Sequence, residues 1–420
     1  MESGQQRADN GWWMIPSVRW TVTINWSGLR TIAAFTRMCD IVVFIDPRRY
    51  IVRPEGRKNP LSNRRCAGRL MAFILVINPG STSTKLALYH DRDQVSVEVL
   101  RHDPVSLRQF PSIWDQFEFR MSTVRSWTQE KATELSAVVA MGGLLRPLQG
   151  GTYCVNEKML HDARMNLQGE HASNLGCAIA AEIAKHYRCP AFVVDPISVD
   201  EFEPLARYSG HPLITRSALS HALNLHAAAL RAADEIGKPI AESTFLVAHL
   251  GGGISVAPLR GGRIVDVNDA SSDGPFSPER TGGLPLQQFI TLCFSGKYDE
   301  KGMRDFVRGR GGLTAYLGTN SAMDVEAMVK QGDARALEIF QAMAYQIAKE
   351  IGAMSTVLAG HVDAVVLTGG LASSTMLVDW ITQRIAFLAR VIVYPGEHEM
   401  ESLAFAALKA VRGTSHAEEY

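Results

Sequence analysis

Two stretches of this chain share one pattern, and that repetition limits the possible folds more than any other feature. FILVINPGSTSTKLALY (73–89) runs an apolar strand into a turn of Asn, Pro, Gly and Ser, then into a second strand with Lys85 near its start. FLVAHLGGGISVAPLRGGRIVDV (245–267) does the same, with three glycines at the first turn, a Gly-Gly turn after the second strand, and a third strand beyond it. In both places the turn joins strand to strand, which reads as a hairpin and not as a strand feeding a helix. Residues 95–100 give the first module its own third strand. Two such modules predict two similar domains, each offering a glycine hairpin to a shared cleft.

The intervening chain alternates between the two regular structures. Strands are expected at 136–143, 190–196 and 391–397, and 364–372 reads as a strand, a Gly turn and a helix start. Helices are expected at 112–136, 171–187, 218–237, 336–358 and 400–413, and 143–160 reads as a loop running into a helix. The helix at 336–358 is the plainest: Leu337, Phe340, Ala344, Ile347, Ile351, Met354 and Leu358 recur every three or four residues. Mixed strands and helices argue for an α/β protein. With 420 residues, 46% of them hydrophobic, the chain can bury the cores of two domains.

Charge excludes several classes of partner. There are 43 basic and 43 acidic residues, so no excess of positive charge points to nucleic acid or an anionic membrane. No run of 18 apolar residues suggests a membrane span. The six cysteines stand singly, without a CxxC pair, as incidental thiols do in a reducing compartment. Residues 1–70 differ from the rest. They hold 12 Lys or Arg against 5 Asp or Glu, four of the seven Trp, and only short apolar runs such as IVVF (41–44). The plainest reading is an atypical extension, with Met71 as the physiological start. The rival is a basic tail that contacts a partner through its tryptophans.

The glycine turns suggest phosphate. A Walker loop, GxxxxGK[ST], opens a helix; here Lys85 lies in a strand. The first turn offers the Gly80 N–H and the hydroxyls of Ser81, Thr82 and Ser83, a grouping suited to an anion. Three successive glycines, Gly251, Gly252 and Gly253, cost backbone entropy that a strand end does not require. A chain pressed against phosphoryl oxygens does require them. TGG (368–370), with Gly369 and Gly370, repeats the strand-to-glycine transition and would sit by a nucleotide.

At this point particular motifs become informative. INPGSTSTK (77–85), GGLLRPLQGGTYCVNE (142–157), HASNLG (171–176), VVDP (193–196), HALN (221–224), HLGGGIS (249–255), DGPFSPERTGGLP (273–285), LTGGLA (367–372) and YPGEHEMESLA (394–404) together resemble the butyrate kinases of the acetokinase family. That family belongs to the superfamily of acetate and sugar kinases, heat-shock proteins and actin. The resemblance runs from Met71 to about Gly413. It implies two ribonuclease H-like βββαβαβα domains forming an actin-like clamshell. Domain I would be 71–196 completed by 396–420, and domain II, which binds nucleotide, 197–395. It further implies phosphoryl transfer between ATP and a short-chain carboxylic acid, Mg²⁺, a cytoplasmic location, and a homodimer or higher homo-oligomer.

The resemblance also distributes roles. A carboxylate substrate is already ionised and needs no general base, so the task is to bring two anions together with cations and Mg²⁺. Arg280 would grip the substrate carboxylate or the moving phosphoryl group, for which its planar fork is suited. His221, at a helix start, would stabilise the phosphoryl group. His171 would lie near the acyl group with Asn174 beside it, and Lys85, Asn78, Gly80, Ser81 and Ser83 would hold phosphate. Asp195 would serve Mg²⁺, directly or through water, unless it only caps a turn. Glu399, or alternatively Glu397, would be the second acid. His249 and Asp266 fit purely structural roles equally well. One departure matters: the family usually has an Arg before GGLLRP, and here Met141 stands there. Arg146 is the nearest substitute. Two rival functions remain. A sugar kinase would need an Asp base for a hydroxyl, and a non-catalytic ATP-binding module would be supported only by Met141.

Overall fold

The computed structural model describes residues 71–420, and within residues 1–70 only a ribbon in which Thr21–Thr23 pairs antiparallel with Ala33–Phe35. The possible strand at 41–44 lies outside the described residues. Met1–Arg69 and Leu70–Tyr420 are separate units, and everything below concerns the second.

The first sheet contains β1 (Phe73–Pro79), β2 (Ser83–His90), β3 (Asp93–Arg101), β4 (Ala137–Met141), β5 (Thr152–Cys154) and β6 (Ala191–Val194). With the two-residue strand Glu418–Glu419 at one edge, the spatial order runs from that edge through β5, β6, β4, β1 and β2 to β3. β1, β2 and β3 form an antiparallel meander, while β1, β4 and β6 run parallel. The second sheet contains β7 (Thr244–Leu250), β8 (Ile254–Arg260), β9 (Arg263–Ile264), β10 (Ala364–Gly369) and β11 (Val391–Pro395), ordered β9, β8, β7, β10, β11. Its meander and its parallel pairs repeat those of the first. The fold is thus α/β with two ribonuclease H-like sheets, and both glycine turns are true hairpins.

Helices cover both faces of each sheet, which explains the near-continuous apolar runs of β1 and β7. α1 (Phe117–Lys131) and α2 (Gly176–Tyr187) pack on Leu75, Ile77, Val138 and Ala140. Four more long helices cover the sheets: α3 (Ala222–Ile236), α4 (Ala334–Ser355), α5 (Thr375–Ile385) and α6 (Glu399–Val411). α4 and α5 cover one face of the second sheet, through Phe340, Ile347 and Ile381 against Leu246 and Leu367. The remaining two helices are exchanged. α3 follows the first sheet in sequence, yet its Leu225, Ala228 and Ala232 pack on Phe245, Val247 and Val366 of the second. α6 follows the second sheet, yet its Leu403, Ala404 and Ala407 pack on Ile74, Val76 and Val139 of the first.

Two local expectations change. The helix expected over 112–136 is a 3₁₀ turn, Trp114–Gln116, followed by α1, which stops where Ala132 turns extended at φ −135°. Within the segment read as a loop, Thr152–Cys154 forms β5, antiparallel to β6. Three residues are too few to show alternation, so only the partner strand defines them. Between 286 and 330, where sequence offers no clear period, lie four short helices. Among the described residues no helix is long and apolar enough to cross a membrane.

Candidate active site

The first hairpin is held from below by a residue that sequence reasoning missed. Arg120, on α1, is fully buried. Its Nη1 donates to the carbonyls of Gly80 (2.9 Å) and Ser83 (3.0 Å), and its Nη2 to the carbonyl of Ser81 (2.9 Å). Nε and Nη2 also donate to Gln116 Oε1 at 3.0 and 2.9 Å. The guanidinium thus collects the turn's carbonyls on one side, while the exposed Ser81 and Thr82 form its outer edge. Beside it, Ser173 Oγ donates to the Pro79 carbonyl at 3.4 Å and meets His171 Nδ1 at 3.1 Å. His171 therefore stands next to the first turn. Asn174 is buried nearby, with Oδ1 accepting from Leu144 N at 2.7 Å.

The second hairpin gathers a different set. Gly251 N donates to the Gly253 carbonyl at 3.2 Å, which closes the turn. A Cβ on Gly253 would stand 2.5 Å from Arg280 Cζ, so only glycine lets that guanidinium lie against the backbone. Arg280 Nη1 donates to the Ala270 carbonyl at 2.7 Å. His221 is the N-cap of α3, with its ring stacked on His249 at 4.3 Å and its Nδ1 2.9 Å from Ser255 Oγ. Burial, then the neighbouring His249 and the charges of Arg280 and His171, hold His221 well below the usual histidine range. Burial, then Arg308 and Arg280, lowers His171 to about 4, and burial alone lowers His249 to about 4. All three imidazoles are neutral near pH 7 and act as hydrogen-bonding groups beside a cation. Arg280 is itself pushed down by burial and by Arg308. His249 Nδ1 and Ser220 Oγ are buried without a hydrogen-bond partner among the described residues.

The first turns of α3 connect these groups to the acids. Asn224 Nδ2 donates to Glu399 Oε1 at 2.8 Å, and Asn78 Nδ2 donates to Glu399 Oε2 at 2.6 Å. Lys85 pairs across the hairpin with Asn78, and its charge bears on Glu399. Burial, then Glu397, raises the Glu399 carboxyl. Asp195, at the end of β6 with φ 39° in the left-handed region, lines the same cavity as Asn224 but makes its bonds elsewhere. Its Oδ1 accepts from Gly151 N at 2.7 Å and its Oδ2 lies 3.1 Å from His226 Nδ1. His226 Nε2 faces Glu201 at 3.3 Å. Burial opposes the charge on His226, but the two carboxylates prevail and raise it to about 10. Gly369, with φ 96°, bonds reciprocally with Gly396, N to O at 3.2 and 3.0 Å; a Cβ there would collide with the Leu250 carbonyl. Gly370 opens the following 3₁₀ turn.

Arg280, His221 and His171 therefore come together, as do Asn78, Lys85 and Glu399, and α3 joins the two groups. Asp195 is tied to a protonated histidine. Asp266 pairs with Arg216 at 2.9 Å and lies outside both groups. Met141 is buried in the apolar cluster under α6 with Met400. Arg146 pairs with Asp162 and lies over the Tyr420 ring, so it anchors the chain near residue 420 and supplies no cation here. Among the described residues no three His, Cys, Asp or Glu side chains form a metal cage. The arrangement suits anion handling: a cation against a glycine turn, uncharged imidazoles, and one amide-held carboxylate.

Residues 220–391 match the family model described as the acetokinase family. A probable butyrate kinase of Listeria innocua is 48% identical over 344 residues, spanning 81% of this chain and 97% of its own. Probable butyrate kinase 2 of Caldanaerobacter subterraneus is 48% identical over 346 residues, spanning 82% of this chain and 98% of its own. Among solved structures, the acetate kinase of Porphyromonas gingivalis superposes with a TM-score of 0.67 at 17% identity, covering 81% of this chain and all of that one. That last likeness speaks for the fold.

Proposed function

The chain belongs to the acetokinase family, and from that premise we propose that it reversibly transfers a phosphoryl group from ATP to butyrate, giving butyryl phosphate and ADP. One observation supports the chemistry above the rest: the Arg280 guanidinium lies against Gly253 while uncharged His221 and His171 stand nearby. A carboxylate and an ATP γ-phosphoryl group repel. A fixed guanidinium and neutral N–H donors offset the charge that accumulates between them. A sugar kinase would instead need a free carboxylate base. Asp195 does not offer one, because it accepts from Gly151 and faces a protonated His226.

Mg²⁺ is usually bound by one or two carboxylates plus substrate phosphates and water, not by an all-protein cage. Glu399, oriented by Asn78 and Asn224, fits that role; Asp195, bound to Gly151 N and His226, would reach the ion only through water. The ion would neutralise phosphate charge. Lys85, the exposed hydroxyls of Ser81 and Thr82 and the N–H groups of Gly252 and Gly253 would hold the phosphates, whereas the Gly80 and Gly251 N–H groups, expected to share that task, close their own turns on Ser83 and Gly253; Gly369 and Gly370 would flank the nucleotide. A homodimer is supported by the helix Leu286–Cys293 and the residue after it: Leu286, Ile290 and Phe294 recur every four residues and are 71%, 48% and 87% exposed. A cytoplasmic location goes with the substrates.

Purified protein with ATP and Mg²⁺ should form acyl hydroxamates when hydroxylamine traps the acyl phosphate. Butyrate exceeds acetate by two methylenes, each worth about 0.8 kcal/mol when buried, so a fitted slot prefers it by roughly tenfold to twentyfold. A kcat/KM maximum at acetate that falls with each carbon would overturn butyrate. A maximum at isobutyrate or propionate would keep the chemistry and change the acid. No hydroxamate from any C2 to C6 acid would leave a non-catalytic nucleotide-binding protein.

A further inference from the structure

Arg280 and Arg308 face one another directly across an isolated antiparallel bridge. Backbone bonds flank it: Thr281 N to the Val307 carbonyl at 3.0 Å, and Gly309 N to the Glu279 carbonyl at 2.7 Å. Residues opposed in this way carry their Cβ atoms about 4.5–5.5 Å apart on one face, and like charges there repel. The bridge thus roots two arginines opposite one another: the Arg280 guanidinium lies against Gly253, and Arg308, exposed to solvent, is near enough for its charge to bear on Arg280. Glu279 and Asp269 bear on Arg280, but Arg308 forms no ion pair among the described residues, whereas Arg304, one turn earlier on the same segment, is paired with Glu300 at 2.7 Å. The Arg308 charge also reaches the first half of the chain, where it is the larger of the two charges that depress His171. Met141 is apolar and Arg146 is paired with Asp162, so neither supplies a second guanidinium here.

We propose that Arg308 is a second anion-binding residue, which works with Arg280 as a guanidinium pair on the phosphoryl group in transit. This rests on the function proposed above. The bridge holds the two backbones opposite one another, and an anion between the side chains would relieve the repulsion that Glu279 and Asp269 offset only on the Arg280 side. Such a pair strengthens binding where negative charge is most concentrated, between the carboxylate and the phosphates.

Repulsion gives the test. Removing a structural arginine lowers the melting temperature; removing one member of a repelling pair does not. Arg308→Ala should melt at or above the wild-type temperature without ligand, yet lose about 10- to 100-fold in kcat/KM for butyrate. Arg308→Lys should recover part of that loss. Orthophosphate should raise the melting temperature of wild type and of Arg304→Ala at matched ionic strength, and raise that of Arg308→Ala clearly less. An active wild type with Arg308→Ala within twofold of it overturns this inference and leaves the proposed function standing. So does a variant whose activity falls only in step with its stability. A wild type that makes no acyl phosphate removes both.

Discussion

Replacing Arg120 should dismantle the first hairpin from beneath. The side chain is fully buried and every guanidinium N–H has a partner: three backbone carbonyls of the turn, Thr84 Oγ1 at 3.3 Å, and the Gln116 amide oxygen twice. Hydrogen bonds to a charged group contribute about 1.5–3 kcal/mol each when their loss leaves a buried partner unsatisfied. Ser81 is exposed, so water can replace its bond. Gln116 and Thr84 are buried and cannot be served so easily. Arg120→Met keeps the volume and removes the donors, and should cost about 3–5 kcal/mol. At about 2 cal/mol/K per residue, the 350 residues of 71–420 give roughly 1.4 °C per kcal/mol, hence a fall of about 4–7 °C. Arg120→Lys keeps the charge but cannot span three carbonyls, and should fall nearly as far. Thermal melts followed by circular dichroism, with KM for ATP measured alongside, decide the matter. If Arg120→Met melts within 1 °C of wild type and binds ATP normally, the turn does not depend on this clamp.

Arg280→Ala should lower kcat by about 10²–10³, or about 3–4 kcal/mol of transition-state stabilisation, with little change in nucleotide affinity; a rate within twofold of wild type removes Arg280 from the site. Gly369→Ala should cost about 2 kcal/mol or more, because φ is 96° and the Leu250 carbonyl blocks a Cβ, whereas Gly370→Ala, with open space around it, should melt near wild type. Stability should peak near neutrality for two opposite reasons. His171 and His249 stay neutral in the folded protein down to about 4, so their contribution is complete above about 6.5 and is lost as pH falls toward 4. His226 stays protonated up to about 10, so its contribution is complete below about 6.5 and is lost as pH rises through 10. His226→Gln should therefore flatten only the alkaline side of the profile of melting temperature against pH, and a parallel loss at both ends would contradict that assignment.

The hairpins were legible because an apolar strand, a glycine turn and a second strand leave few alternatives, and α4 because its stripe is long. No local period says which sheet Leu403 or Leu225 will meet; only the resemblance, which assigned 396–420 to domain I and 197–395 to domain II, pointed to the helix exchange. Arg120 left a faint trace: it shares a helix face with Val124 and Trp127, which are buried, so an arginine on an apolar stripe could have been flagged. The weak period of 112–136 hid it. Arg146 shows the opposite failure. Proximity in sequence made it a substitute cation, but Asp162 and Tyr420 claim it, and neither partner is foreseeable from spacing. Arg308 becomes interesting only when the bridge sets it opposite Arg280.

The exchanged helices also govern the order in which the chain can fold. β1 begins at residue 73, and the helix that covers one of its faces begins at residue 399. Closing a loop of that length adds little entropy beyond a shorter one, but it cannot close before the helix has been made. During synthesis the first sheet emerges early and must wait, with Ile74, Val76 and Val139 exposed on one face, until residue 411 is available. The second sheet, whose exchanged helix precedes it, has no such delay. The half made later is thus the first able to finish, and the nascent first half is a surface that a chaperone would recognise.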